Sequence, residues 1–310
     1  MSGGVGAVRC RLAVLVCTYN RPHRLRHLLD RLEEVRALGA TEPFRCVVVD
    51  DSPEGSAKDA VGEWLQGSRA LDVSYVFHGS RNISLARNAA AASAEDAEWW
   101  FLLDDDGSPP LEWMTTLLDA QARSGADLIC GGVRYVPPDG APDWLQRQGF
   151  LDVNHYLEDA EPEFGCLANA LLRASWWREH PEVRFRPEFG VRGGEDLVFL
   201  IDARRAGLSV SWTEQAVVEE DLPSERATLR YQLRRKLWTG NVNTIIDLEL
   251  GVRSRVRLAG RALLKAAHVL RDTVDGLLST HQPEGRRRLG QAVFVVGMVL
   301  AIVGIDIDHE

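Results

Sequence analysis

The amino-acid sequence predicts an α/β fold: a doubly wound, mostly parallel sheet flanked by helices, followed by a C-terminal helical tail. Over the first 136 residues, short continuous apolar runs alternate with segments of helical periodicity. This alternation is typical of parallel strands covered on both faces by helices. Polar residues follow most of the apolar runs directly, and beyond residue 240 the chain becomes basic and amphipathic. The polar residues after the apolar runs indicate a ligand site at one sheet edge, and the amphipathic pattern beyond residue 240 indicates helices.

The elements can be predicted in order. Apolar runs predict strands at 12–17, 44–49, 73–77, 99–103 and 127–136. Apolar residues at helical spacing predict helices at 24–38, 58–66, 84–94 and 111–124. Residues 137–164 are rich in Pro, Gly, Asp and aromatic residues, a composition that favours a long binding loop. Further helices are expected at 170–180, 195–206 and 229–249, and a strand at 209–218.

The C-terminal tail differs in charge from the rest of the chain. Residues 222–310 contain 14 Lys and Arg against 9 Asp and Glu, whereas the whole chain has a formal net charge of −9. A basic amphipathic tail suits an anionic membrane surface or an acidic partner, and a solvated helical face is the alternative. The apolar run at 289–305 is short for a span of ~20 residues. We expect a packed or interfacial helix, with a true span as the alternative.

Composition restricts the class of protein. The net negative charge argues against a nucleic-acid-binding protein. The five cysteines are scattered and none forms a C-x-x-C pair, which favours a reducing, cytoplasmic compartment. Residues 1–9 lack an apolar core long enough for a signal peptide.

Three adjacent acids, Asp104, Asp105 and Asp106, end the predicted strand at 99–103. Adjacent carboxylates repel one another, and hard divalent cations such as Mg²⁺ or Mn²⁺ prefer oxygen ligands and often bridge to phosphates. The triplet therefore predicts a metal site, and a solvated acidic turn is the alternative.

Four predicted strand ends carry polar segments, at 17–22, 50–52, 81–88 and 104–106. Because the carboxyl ends of parallel strands lie at one edge of a sheet, these segments should converge on one cleft. The cleft would offer acids for a metal and for ribose or base, and Arg87 for phosphate. No G-x-G-x-x-G follows the first strand and no Walker motif is present, so a metal must neutralise much of the phosphate charge.

Five motifs occur in a characteristic order: VCTYNRP at 16–22, VVVDD at 47–51, LARN at 85–88, the Asp triplet, and GGED at 193–196. In this order they resemble family 2 glycosyltransferases with the GT-A fold. The resemblance covers residues 11–240. It implies a transferase domain over 1–240, with a nucleotide-binding half at about 11–136 and an acceptor half at about 137–240, followed by the tail at 241–310.

The resemblance also implies roles for individual residues. Thr18 and Tyr19 would line the base and ribose, with Arg21 nearby, and Asp50 would accept from a pyrimidine N–H beside Asp51. Asn82 and Arg87 would close over the ribose or diphosphate. Asp104 and Asp106 match the DxD metal ligands, with Asp105 at the donor. The catalytic base would be Asp196, with Glu195 as the alternative. The expected acceptor residues are Trp144, His155 and Asn169.

Two features leave alternatives open. Glu195 and Asp196 also begin a predicted helix, where acids are favoured by the helix dipole. Many relatives carry a further metal-binding His after the last strand, but this chain has Val217-Val218-Glu219-Glu220-Asp221 there. An acid such as Glu219, or water, could take its place.

The combined prediction is an inverting transferase that uses a nucleotide-diphosphate sugar, with a UDP-sugar expected, together with Mn²⁺ or Mg²⁺. The acceptor would be a glycan, a lipid-linked sugar or a small metabolite. We expect a cytoplasmic protein that contacts the inner face of the membrane; a homodimer is left open. The alternatives are an inactive sugar-nucleotide-binding subunit and a nucleotidyltransferase.

Overall fold

The structure is a computed structural model that describes residues 11–39, 42–151, 158, 160–162, 167–278 and 285–307. The chain divides into two compact units. The first comprises Met1–Arg134, Val153–Val191 and Glu195–Glu220, and the second comprises Tyr135–Asp152, Arg192–Gly194 and Asp221–Glu310. The boundary predicted near residue 240 falls inside a long helix, Leu229–Glu249, which lies wholly in the second unit.

The strands are β1 (Leu12–Thr18), β2 (Phe44–Asp50), β3 (Asp72–Phe77), β4 (Trp99–Asp104), β5 (Gly107–Ser108), β6 (Leu128–Val136), β7 (Asn169–Arg173) and β8 (Val210–Asp221). The helices are α1 (Pro22–Glu34, continued by a π-helical turn at Val35–Gly39), α2 (Lys58–Leu65), α3 (Ile83–Ala92), α4 (Trp113–Ser124), α5 (Trp144–Arg147), α6 (Ala174–Glu179), α7 (Phe189–Arg192), α8 (Glu195–Arg205), α9 (Leu229–Glu249), α10 (Arg255–Leu278) and α11 (Gly285–Ile302). A 3-10 turn covers Ser224–Arg226.

The strands form one sheet in the order β3-β2-β1-β4-β7-β6-β8-β5. Strands β1 to β4 pair in parallel, whereas β7 pairs antiparallel with both β4 and β6, and β5 pairs antiparallel with β8. The predicted α/β class and the C-terminal helices are confirmed. The sheet is mixed, however, because the parallel part predicted from the β-α-β rhythm stops at β4.

Two apolar cores explain the continuous apolar runs of the central strands. Along β1, Val14 and Val16 face one core, while Ala13 and Leu15 face the other. Helices α1, α2 and α4 contribute to the first core, and α3, α6 and α8 to the second. Since successive side chains point to opposite faces, a strand covered on both sides must be apolar throughout.

One predicted element is wrong. The segment 170–180 was expected to be a helix, but its first residues form β7 at Asn169–Arg173, and only α6 is helical. The leucines of β7 favour a helix by intrinsic propensity. Leu171 and Leu172 are instead buried on opposite faces of the sheet, between β4 and β6. Tertiary packing overrides local preference here.

The second unit contains a close helix crossing. A Cβ atom at Gly297 of α11 would overlap the carbonyl oxygen of Leu237 in α9 and lie 2.9 Å from the backbone nitrogen of Asn241. Buried Asn241 donates from Nδ2 to the carbonyl of Gly297 at 3.2 Å. The apolar run at 289–305 therefore forms a packed helix. Among the described residues, every helix is too short or too polar to cross a membrane.

This crossing gives a stability prediction. Gly297→Ala should lower the free energy of unfolding of the second unit by about 1–3 kcal/mol, because its methyl group must displace α9 backbone. Gly260→Ala is the matched control, since no atom lies within 4 Å of its added Cβ in α10. The control should gain up to about 1 kcal/mol from helix propensity. Hydrogen exchange of α9 and α11 amides measures the stability change in both variants. Equal protection in the two variants would contradict the prediction.

Candidate active site

Parallel register places three polar strand ends side by side. Thr18 pairs with Asp50 across β1 and β2, and Cys17 pairs with Asp104 across β1 and β4. The backbone N–H of Asp51 donates to the carbonyl of Thr18 at 2.9 Å. The carboxyl ends of β1, β2 and β4 thus lie at one edge of the sheet, where open α/β sheets bind ligands.

The middle acid of the triplet points inward. Asp105 is buried and accepts a hydrogen bond from Thr18 Oγ1 at 2.7 Å and one from Arg21 Nη1 at 3.2 Å. Burial raises the pKa of Asp105 to about 6, against the opposing effect of the Thr18 hydrogen bond. Asp105 therefore fixes the position of the triplet relative to β1.

The third acid is neutralised by two arginines. Asp106 Oδ2 accepts from Arg21 Nη1 at 3.1 Å and from Arg24 Nη1 at 2.7 Å. Arg24 was not predicted as a site residue. Its signal in the sequence is its position three residues after Arg21, because residues three apart lie on one face of a helix.

Three carboxylates converge beside the triplet. Single oxygen atoms of Asp104, Asp106 and Glu220 lie within 4.8 Å of one another. Glu220 is brought there by β5, whose Gly107 pairs directly with Glu220 of β8. Gly107 has no space for a side chain, since its Cβ would lie 2.9 Å from Leu103 and 3.0 Å from Val218.

The suggested substitute ligand, Glu219, points elsewhere. It pairs with Arg134 and is half-buried, whereas Glu220 is buried. Side chains alternate along a strand, so only one of two adjacent acids in β8 can face the triplet. Of these two acids, the one that faces the triplet is therefore Glu220.

The donor set fits a divalent cation. Three carboxylates supply the hard oxygen ligands that Mg²⁺ and Mn²⁺ prefer. Burial raises the pKa of Asp104, and neighbouring Asp196 and Asp106 raise it further, although Arg87 opposes this. Such concentrated negative charge is stabilised by a cation.

A second cluster surrounds one arginine. The guanidinium of Arg87 in α3 lies 3.3 Å from Asp104 Oδ1, 3.4 Å from Asp196 Oδ1 and 3.8 Å from Glu195 Oε1. Although burial alone would lower the pKa of Arg87, these three acids raise it. Arg87 was predicted to bind phosphate. In the structure it contacts both the predicted metal ligand, Asp104, and the two candidate catalytic bases, Glu195 and Asp196.

The two candidate bases, Glu195 and Asp196, are the first residues of α8. Gly193 and Gly194 precede it with φ of 88° and 85°, a left-handed conformation that suits glycine. Burial raises the pKa of Asp196 to about 7; Arg87 opposes this, and Glu195 reinforces it. Within the described part of the chain, buried Asp196 Oδ1 accepts no hydrogen bond. The pKa of Glu195 is also raised by burial.

The predicted contact of Asp50 with a pyrimidine is wrong. Asp50 is fully buried, and its two oxygens accept from Ser52 N, Ser52 Oγ, Ala57 N and Tyr75 Oη. Those four bonds fill the lone pairs of a carboxylate. Asp50 therefore organises the loop after β2, and no acceptor site is left for a ligand.

The other residues predicted to bind the nucleotide differ in exposure and in the hydrogen bonds that they already make within the protein. Asp51 accepts through Oδ1 from Ser80 N at 3.0 Å and Ser80 Oγ at 2.7 Å, and His78 Nδ1 lies 3.4 Å away. Tyr19 is exposed. Asn82 caps α3 by accepting from Leu85 N, and it donates to the carbonyl of Pro187. Its amide thus holds protein segments together, so the predicted closure over ribose is not supported.

The structure describes two of the three predicted acceptor residues, and these two lie in different environments. Asn169 is fully buried; it donates to the carbonyls of Gly132 and Ala216 and accepts from Trp113 Nε1. An acceptor role for Asn169 is wrong, because its amide links strands inside the sheet. Trp144 packs edge-on against Phe150 in the second unit, and His155 lies outside the described residues.

Comparison with known proteins identifies the family of the chain. The family described as Glycosyl transferase family 2 matches residues 13–179. The succinoglycan biosynthesis protein ExoM of Rhizobium meliloti (strain 1021) is 30% identical over 261 residues, which cover 83% of this chain and 76% of ExoM.

Two solved structures share the fold. The mannosyltransferase PcManGT of Pyrobaculum calidifontis, in complex with GDP-Man and Mn²⁺, superposes with a TM-score of 0.63 at 18% identity, over 95% of this chain and 88% of its own. S. aureus TarS 1–349 in complex with UDP gives 0.52 at 17% identity, over 73% of this chain and 65% of that fragment. The family match and the ExoM identity decide the assignment: the chain is a member of glycosyl transferase family 2.

Proposed function

We propose that this glycosyltransferase moves a hexosyl or N-acetylhexosaminyl group from a UDP-sugar to an acceptor hydroxyl, with inversion at the anomeric carbon. One observation carries the proposal. Arg87 connects Asp104, at the cation site, with Asp196, whose buried Oδ1 lies 3.4 Å from the guanidinium and accepts no hydrogen bond from the described residues. A leaving-group site and a proton acceptor are thereby held on one scaffold.

The donor site is formed by the loops after β1 and β2. The hydrogen bonds from Ser80 to Asp51 reach Oδ1, and we assign Oδ2 to the ring N–H of the base. Uracil and guanine present such an N–H, whereas cytosine and adenine present a ring nitrogen that accepts. Exposed Tyr19 is placed to cover the base, beside Thr18. Complexes of TarS with UDP and of PcManGT with GDP-Man agree with this pair of bases.

Asp104, Asp106 and Glu220 would hold the divalent cation, Mn²⁺ or Mg²⁺. When bound, it would neutralise the diphosphate and stabilise the charge that develops on it. Arg21 and Arg24 already pair with Asp106 and carry positive charge to the same place. Both arginines are therefore assigned to the diphosphate region together with Asp106.

Asp196 would act as the general base. It accepts the proton of the acceptor hydroxyl while the oxygen attacks the anomeric carbon and the bond to the diphosphate breaks. Arg87 holds the carboxylate in place at 3.4 Å and disfavours its protonation. Glu195, 3.8 Å from Arg87, is the alternative base on the same helix turn.

We propose a glycan, a lipid-linked sugar or a small metabolite as acceptor, bound with the help of Trp144 and the segment around His155. The enzyme would work in the cytoplasm at the inner face of the membrane. The basic tail supports that location, as does the likeness to ExoM, a succinoglycan biosynthesis protein.

Calorimetric titration with UDP, GDP, CDP and ADP, each with and without Mn²⁺, tests the donor site. We expect UDP to bind tightly only with Mn²⁺, and CDP and ADP to bind at least tenfold more weakly, a difference of about 1.4 kcal/mol. Selective GDP binding would mean that the donor site recognises guanine and not uracil. Binding of none of the four would contradict the proposed donor site.

A further inference from the structure

Helix α10 in the second unit has two apolar sides. One side packs against the protein, where Leu258 and Ala262 are buried. The other carries Val256, Leu263, Leu270 and Val274, of which Val256 is 82%, Leu263 72% and Leu270 66% exposed. Spacings of seven, seven and four residues place these four side chains on one face of the helix. We call this face the outer stripe.

The outer stripe is large for an exposed surface. It covers 18 residue steps, about 27 Å at the rise of an α-helix. Residues outside it add to the apolar exposure of this unit: Leu264 in α10, Val296 and Val299 in α11, and Val303 just after α11 are also exposed. Extended apolar surface of this kind marks a site of association with a membrane or a protein.

Positive charge accompanies the outer stripe. At 3.6 residues per turn, exposed Arg257 lies about 100° around α10 from Val256, on the flank of the outer stripe, whereas exposed Arg261 lies about 160° from Leu263. Arg271 follows Leu270 directly, although it pairs with Asp272. Helix α11 begins with Arg286, Arg287 and Arg288 in its first turn. A helix with apolar residues on one face and arginines beside it matches an anionic lipid surface, which offers acyl chains beneath phosphates.

We propose that α10 docks in the interface of an anionic phospholipid bilayer. The outer stripe would enter the boundary between headgroups and acyl chains, and Arg257 and Arg271, on its flank, would contact the phosphates. This inference deepens the proposed location of the enzyme at a membrane face and rests on that part of the proposed function. It does not depend on the donor or the base, because every residue involved lies in α10.

Vesicle flotation with the full-length protein tests the stripe. Wild type should bind phosphatidylglycerol vesicles and bind phosphatidylcholine vesicles at least tenfold more weakly. Leu263→Glu/Leu270→Glu should reduce the partition coefficient at least tenfold for each leucine removed from the bilayer. The matched control is Leu38→Glu/Leu65→Glu, which changes two exposed leucines of the first unit and should bind as wild type does.

The charge contribution is tested separately with Arg257→Gln/Arg271→Gln. Each neutralised arginine should weaken binding to phosphatidylglycerol about fivefold, and high salt should reduce the difference between variant and wild type. Binding to phosphatidylcholine should not change. Circular dichroism and the nucleotide titration identify variants that remain folded, so loss of vesicle binding with intact nucleotide binding reports on the surface alone.

Three results would overturn the proposal: equal binding to both lipids, unchanged binding by the stripe variant, or a dimer of the wild type that the stripe variant converts to a monomer. The last result, measured by sedimentation velocity without lipid, would assign the outer stripe to a second copy of the chain. Vesicle binding without nucleotide binding would support the docking surface while contradicting the proposed donor.

Discussion

Asp196→Asn is expected to lower kcat by about 10²–10⁴-fold, the usual contribution of a general base, while changing nucleotide affinity far less. Asparagine keeps the shape of the side chain beside Arg87 but cannot accept the hydroxyl proton. Release of nucleoside diphosphate from the donor identified by titration measures the effect, and the titration itself measures affinity.

Two further variants decide whether the loss is specific. Asp202→Asn makes the same change on the same helix, at a residue paired with Arg186, and should retain activity. Glu195→Gln should cost less than Asp196→Asn. If Glu195→Gln costs more, the base is Glu195, and Asp196 only positions Arg87.

The same carboxylate predicts the pH dependence of the reaction. A base works only when it is ionised, and burial raises the pKa of Asp196 to about 7. Because kcat/KM reports the free enzyme, kcat/KM should be high above pH 7 and fall about tenfold for each pH unit below it. An aspartate with its ordinary pKa near 4 would keep full activity down to about pH 5. A rate that stays constant between pH 7 and 5 would contradict the assignment of Asp196.

The second large effect concerns the cation. Glu220→Gln should weaken Mn²⁺ binding at least tenfold, because an amide replaces one of three converging carboxylates. Asp106→Ala should abolish Mn²⁺-dependent nucleotide binding, since it also leaves Arg21 and Arg24 without their shared partner. Titration of Mn²⁺ with and without nucleotide gives both values.

Glu219→Gln is the matched control for this prediction. It makes the same change one residue earlier in β8, on the side chain that pairs with Arg134. Mn²⁺ affinity should stay within twofold of wild type. If the two glutamine variants behave alike, Glu220 is not a ligand.

The sequence predicted the parallel half of the sheet well, because each strand there is apolar throughout and each helix has clear periodicity. It also located the Asp triplet, Arg87 and the acids of α8. Antiparallel β7 was missed for a physical reason. Its five residues contain two leucines and an alanine, which fit a helix equally well, and only pairing with β4 and β6 makes them a strand.

Side-chain roles were harder to predict than positions. Asp50 and Asn169 lie in motifs that suggested ligand contacts, yet both are buried and fully hydrogen-bonded within the protein. Sequence does not show how many of a carboxylate's lone pairs the fold already uses. The choice between Glu219 and Glu220 depended on the phase of side-chain alternation in β8, which is fixed by the pairing of Glu220 with Gly107.

Arg87 is one positive charge shared among three acids, and this arrangement links loading of the donor to readiness of the base. On the proposed roles, a cation held by Asp104 would compete with Arg87 for that carboxylate and leave the guanidinium to Asp196 and Glu195. Arg87 would then stabilise ionised Asp196 more strongly, and by thermodynamic reciprocity an ionised Asp196 would favour cation binding. The proposed base would thus be least active in the empty enzyme and most active once the donor is in place.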